Sequence, residues 1–248
     1  MNTAKTVHQL SAQATVGQIV SVSDSAKGLL HSIGLKPENH QNKTLRQVCT
    51  ELKWNEEEVL EWIKQKNHVL DDHFENGTES PEQMQEYGLA GKCAHFCKTG
   101  YDTIFEPLDN VNDTLPRVYK VHGIQDHFLK ILEEEFEPFN KRLRLHLKFQ
   151  RNKFFRQIQK FESAKNEVLD GVVQGLKKSI DIIREDQKEL NKRMDKMEKV
   201  THHFDLPEHA CSTYRIMMKS LETLVAEVRK LNRNIVEELI QPISDKLN

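Results

Sequence analysis

The chain has 248 residues, 36 Lys and Arg against 38 Asp and Glu, and a formal net charge of −2. That balance offers no field for nucleic acid or an anionic membrane surface, and no apolar run approaches the ~20 residues of a membrane span. With 30% charged residues, 10 Gly and 7 Pro, the composition favours helix over turn. It suits an all-α soluble protein of one large and one small domain.

Residues 1–14 are polar, read as a disordered tail, and lack the apolar core of a secretion signal. Residues 15–66 carry three short helical patterns and form a small N-terminal domain. The first runs from Val16 to Ile33, with Ile19, Val20, Ala26, Leu29 and Leu30 at apolar positions. Pro37 breaks the chain, and Thr44 is placed to cap the second helix, Leu45 to Leu52. The third starts after Asn55, with Glu56, Glu57 and Glu58 in its first turn, and buries Val59, Leu60, Trp62 and Ile63. Fifty residues make only a small core, so this module needs another surface to lean on. Residues 67–84 hold Asn76-Gly77 and Ser80-Pro81 and no apolar periodicity, which reads as a linker.

Residues 85–248 contain four long amphipathic patterns with mostly short connections, the signature of an up-down four-helix bundle. The first, from Gln85 to about Val121, places Cys97, Tyr101, Ile104, Leu108, Val111, Leu115, Val118 and His122 on one face. Pro107 and Pro116 fall inside it and Gly123 ends it. The second, Glu133 to Phe161, aligns Phe136, Phe139, Leu143, His146, Gln150 and Phe154. The run Glu133-Glu134-Glu135 reads as acids complementing a helix start, and Arg142 as solvated surface. The third, about Asn166 to Val200, aligns Ile180, Ile183, Gln187, Leu190, Met194 and Met197. The fourth starts near Pro207 and aligns Leu221, Leu224, Val228, Leu231, Ile235 and Leu239.

Polar residues interrupt three of these faces: Tyr101, His146 with Gln150, and Gln187. Bundles hold metals where carboxylates and histidines from facing helices converge. This set contains one good ligand, His146, and no carboxylate. A hydrogen-bonded network can satisfy it internally; a small polar ligand is the sharper alternative. Cys49, Cys93, Cys97 and Cys211 are few and irregularly spaced, as in a reduced cytoplasmic protein. Cys93 and Cys97, one turn apart, suit a thiol pair or two small buried side chains. His202, His203 and His209 lie in the loop before the fourth helix, as metal ligands or as solvated side chains.

Four stretches, in order, resemble the repair-of-iron-centres family, the iron–sulfur cluster repair di-iron proteins. Thr15-Val-Gly-Gln-Ile-Val20 is similar to the family's Val-Gly-x-Ile opening, and Thr44-Leu-Arg-Gln-Val-Cys49 to its Thr-Leu-x-x-Ala-Cys. Val118-Tyr-Lys-Val-His122 resembles a helix end, Val-x-x-Val-His. Thr201 to Tyr214 resembles a threonine, a proline-rich loop and Ala-Cys-x-Thr-aromatic. The resemblance implies a small N-terminal domain on a hemerythrin-like bundle, a homodimer through the small domains, and two irons held by four histidines and two bridging glutamates. It also implies a cysteine pair, which falls here on Glu38 and Asn39. The ligand positions fall on Tyr101, His146, Gln150, Gln187, Leu231 and Ile235. A register one residue later gives Asn232 and Val236 on the last helix.

Amides are poor iron ligands, and Leu231 and Ile235 cannot ligate at all. The expectation is therefore no cofactor, no catalytic residue and no metal, with His146 the one weak candidate ligand. The reading leans away from an enzyme. It describes a relative of the repair proteins that has lost the di-iron site and acts through an unidentified protein partner, in a stress or iron–sulfur setting, in the cytoplasm, binding neither nucleic acid nor membrane. The alternative is a sensor or enzyme with a mononuclear metal or small-ligand site at Tyr101, His146, Gln150 and Gln187.

Overall fold

The computed structural model describes residues 11–22, 26, 27, 30, 35–52, 54–57, 59, 60, 63, 88–164 and 170–247. They form an all-α protein; among them the only β-type pairing is an isolated bridge, Thr15 to Thr44. No helix among them is long and apolar enough to cross a membrane. The expected linker, residues 67–84, lies outside the described residues, as do Leu29, Ile33 and Trp62. Two compact units emerge. One comprises the described parts of Met1–Gly77, Glu106–Asp126 and Phe204–Leu224; the other, those of Thr78–Phe105, His127–His203 and Val225–Asn248.

In the first unit, two capping boxes start two helices. Thr15 and Gln18 exchange side-chain and backbone bonds (3.0 and 3.2 Å) ahead of α1, Val16–Val22. Thr44 and Gln47 do the same (2.9 and 3.2 Å) ahead of α2, Leu45–Glu51. Along the pattern expected to run to Ile33, α1 is described to Val22, and Ala26, Lys27 and Leu30 are described beyond it, each helical. The two caps are tied to each other, Val16 N–H donating to Lys43 O and Leu45 N–H to Ala14 O, both at 2.9 Å. Gly17 permits this closeness: a Cβ there would stand 3.0 Å from Gln41 O. The small core joins Val16, Ile19, Leu30, Leu45, Val48 and Val59 to Ile216, and Asn55 N–H donates to Ser212 Oγ at 2.8 Å. The module thus completes its core with a residue some 150 positions away in sequence, as its size requires.

The further helices are α3 (Leu89–His95), α4 (Asp102–His122), α5 (Phe128–Phe149), α6 (Phe155–Ser163), α7 (Asp170–Val200), α8 (Ser212–Ile235) and α9 (Gln241–Leu247), of which α4, α5, α7 and α8 are long. Pro107 and Pro116 are accommodated inside α4, which ends one residue before Gly123. In the second unit the Glu162 carboxylate caps α3, accepting from Leu89 and Ala90 N–H at 2.8 Å each. The acids expected at the start of the second long helix lie beyond it, because α5 already begins at Phe128. Glu135 instead bridges to Arg193 (3.0 Å) and Lys196 (2.5 Å) of α7. The face predicted for α5 is buried throughout: Phe136, Phe139, Leu143, His146, Gln150 and Phe154 are each at most 4% exposed.

Three π-helical turns interrupt these helices, Phe96–Gly100, Gln150–Phe154 and Val236–Ile240. One ends directly before Tyr101, one begins at Gln150, and one follows Ile235. A π turn inserts a residue into the ladder at an energetic cost and is commonest where a helix serves a site.

Candidate functional site

Tyr101, His146 and Gln150 meet in the second unit, all buried. The Tyr101 hydroxyl donates to Gln150 Oε1 at 3.0 Å. Gln150 Nε2 donates to His146 Nε2 at 2.7 Å, one helical turn back. His146 Nδ1 donates to Asp186 Oδ2 of α7 at 3.2 Å. Asp186 is finally clamped by Arg142, whose Nε and Nη2 donate to Oδ1 at 3.1 and 2.8 Å. With donors and acceptors placed this way, every bond runs in one direction, from phenol to carboxylate. In this arrangement the ring accepts at Nε2 and donates from Nδ1. A proton on Nε2 would force the Gln150 amide to turn over and reverse the chain.

The electrostatics follow from the contacts. The hydrogen bond from His146, helped by Arg142, holds the Asp186 carboxyl below its ordinary range against partial burial, which acts the other way. Burial pushes the Tyr101 phenol well up, so it stays a protonated donor. Asp186 and Arg142 are additions to the expected set. Asp186 is the carboxylate that set lacked, and Arg142, expected in solvent, is its clamp.

Gln187 does not join the chain. Its Nε2 donates to Asn232 O at 3.3 Å and lies 3.5 Å from Asn232 Oδ1, while Asn232 Nδ2 is buried without a partner. Leu231 and Ile235 are both buried, and so is Asn232. A cleft of about 640 Å³ opens beside Gly100 and Leu231, with Lys92, His95 and Asn234 on its walls.

Cys93 and Cys97 are free thiols. Burial pushes Cys93 up to about 12 and also raises Cys97, so neither is an activated thiolate. The loop histidines separate. His202, His203 and Phe204 hold φ of 49°, 60° and 63°, left-handed conformations that cost non-glycine residues roughly 1–2 kcal/mol each. His203 points at Glu198, 3.2 Å away, with its side chain 82% exposed. His209, in the first unit, pairs with Asp126 at 2.9 Å and lies beside His122. Neither partner is apparent in the sequence, because the contacts join a helix end to a loop more than 80 residues later.

An all-α protein with a Tyr–Gln–His–Asp–Arg chain, buried at Tyr101, Gln150 and His146 and reaching the surface at Arg142, is thus the class defined here. No family model matches the chain. It is similar to the iron–sulfur cluster repair protein ScdA from two strains of Staphylococcus epidermidis, 20% identical over 159 residues in each case. The match spans 64% of this chain and 66%, just under two thirds, of those relatives. This is a distant relationship to the iron–sulfur cluster repair proteins.

Proposed function

We propose that this chain is a remodelled relative of the repair proteins, in which the hydrogen-bonded chain at Tyr101, Gln150 and His146 stands in for a di-iron centre, and that it acts by binding a protein partner. The carrying observation is that both ring nitrogens of His146 are already engaged, Nε2 by Gln150 and Nδ1 by Asp186. The donor set does not fit two irons. It offers one imidazole where four are needed, a neutral amide where a bridging carboxylate is needed, and aliphatic side chains at Leu231 and Ile235. The π turns beside Tyr101, Gln150 and Ile235 support descent from a backbone built around a site, where such turns are frequent.

Metal analysis of the full chain purified from iron-supplemented cells tests this reading. Iron is expected well below one per chain, with no visible oxo-bridge band, and the chain alone is expected not to restore a damaged iron–sulfur enzyme. Two irons per chain with that band would overturn it. The cleft beside Gly100 and Leu231 favours a second reading, a small-ligand sensor. Native mass spectrometry of the same preparation tests it: a stoichiometric retained small molecule supports the sensor, and the bare mass counts against it.

A further inference from the structure

We propose that His122, Asp126 and His209 form a binding site for one divalent transition cation of the zinc type. The site shares no residue with the His146 chain. One donor atom from each of the three side chains lies within 4.8 Å of the other two. Two imidazoles and a carboxylate are a standard donor set for such a cation, leaving one position open to water. Bonds of ~2.0–2.2 Å in a tetrahedral site put neighbouring donors roughly 3.3–3.6 Å apart, within reach of these atoms by small side-chain rotations.

The backbone brings the three together from two directions. His122 is the last residue of α4, and both Gln125 and Asp126 N–H donate back to its carbonyl (3.0 and 2.8 Å). That turn folds the Asp126 carboxylate back beside the His122 ring. His209 arrives on the loop ahead of α8, held by a turn in which Ala210 N–H donates to Pro207 O at 3.0 Å. Its Nε2 meets Asp126 Oδ2 at 2.9 Å, and its ring centroid lies 5.8 Å from that of His122.

The surroundings resemble a metal pocket more than a surface ion pair. The Asp126 side chain is only 10% exposed, whereas His209 is 36% exposed and forms the open rim. Tyr214 closes the floor, wholly buried, its ring 5.2 Å from His122. Its hydroxyl is buried with no hydrogen-bond partner, a free donor at the floor of the site, where metal sites usually place the groups that support their ligands. In the metal-free state the His209–Asp126 hydrogen bond occupies the place of the cation. On binding, the Nε2 proton that bonds Asp126 is lost to solvent, the neutral ring carries its proton on Nδ1, and Nε2 goes to the metal. Cys211 Sγ is 3.3 Å from His122 Nε2 but stands outside the triad.

The test is titration of Zn²⁺, and of Co²⁺ as its spectroscopic stand-in, into the chelator-stripped full chain. One saturating equivalent is expected, with the ligand-field bands of a nitrogen- and oxygen-bound Co²⁺, no thiolate charge-transfer band, and a higher melting temperature on saturation. His209→Ala and Asp126→Asn should each weaken binding at least about 100-fold. His209→Ala removes the more exposed side chain of the pair and should lower the metal-free melt less than Asp126→Asn does, so it carries the test if Asp126→Asn folds poorly. Cys211→Ser should bind as the parent does. No saturable binding, or binding unchanged in His209→Ala, overturns the proposal. So does binding lost in Cys211→Ser but kept in Asp126→Asn, which would mean a cysteine–histidine pair holds the metal.

Discussion

Replacing Tyr101 by Phe and Gln150 by Leu, singly and together, tests the buried chain where it is most constrained. Tyr101→Phe removes one hydroxyl and leaves Gln150 Oε1 unpaired at a position with no solvent exposure, a cost of about 1–2 kcal/mol. Gln150→Leu keeps the volume but strands both the Tyr101 hydroxyl and His146 Nε2, about 2–4 kcal/mol in total. In the double variant Phe faces Leu, and only His146 Nε2 lacks its donor. The double variant should therefore cost about 1–3 kcal/mol, below the sum of the single changes by roughly 2 kcal/mol. Denaturant unfolding followed by circular dichroism reads the four proteins. Native-state hydrogen exchange of the α5 amides gives the local value, because a chain of two compact units need not unfold in one step. Additivity within about 0.3 kcal/mol would mean that the two side chains do not share a bond, and the directional chain would be wrong.

The Asp186 carboxyl is held low in the folded state, so its contribution is complete above the unfolded carboxyl range near ~3.9 and fades as pH falls through the lower folded value. The stability gap between wild type and Asp186→Asn, measured as melting temperature against pH, should be full at neutral pH and close only in acid; parallel curves down to low pH would remove Asp186 from the network. Thr44→Ala breaks the second capping box and should lower stability by about 1 kcal/mol, with Thr44→Ser close to wild type. A neutral Thr44→Ala in chemical denaturation would count against the cap.

Faces set by the helical period were legible in the sequence. The stripe from Phe136 to Phe154 and that from Ile180 to Met197 are buried as the 3.6-residue spacing requires, His146, Gln150 and Gln187 included. Asp186 was not legible. It sits one residue off the buried line of α7, at a flank where an acid usually meets water, and only the neighbouring helix decides what it meets. The π turns carry no hydropathy signal either, yet they alter register. In α8 the stretch before Val236–Ile240 buries Leu231, Asn232 and Ile235 together. The His122–Asp126–His209 cluster depends on where a loop returns, which no periodicity encodes.

The arrangement of charge explains why these residue types occur together. The fully buried members, His146 and Gln150, and the nearly buried Tyr101 carry no net charge in the bonding pattern observed. Both charges sit at the edge, with the Asp186 side chain 20% and that of Arg142 40% exposed, where water shares the cost of solvating them. A carboxylate at position 150 would put a second anion on the same imidazole, inside the apolar stripe. The amide gives the same reach, accepts from Tyr101, donates to His146 and adds no charge. Phenol at 101, amide at 150 and acid at 186 are therefore interdependent. Removing the polar group at any one of the three leaves at least one partner in the chain unpaired, which is the free-energy reason for the three to be kept or lost as a set.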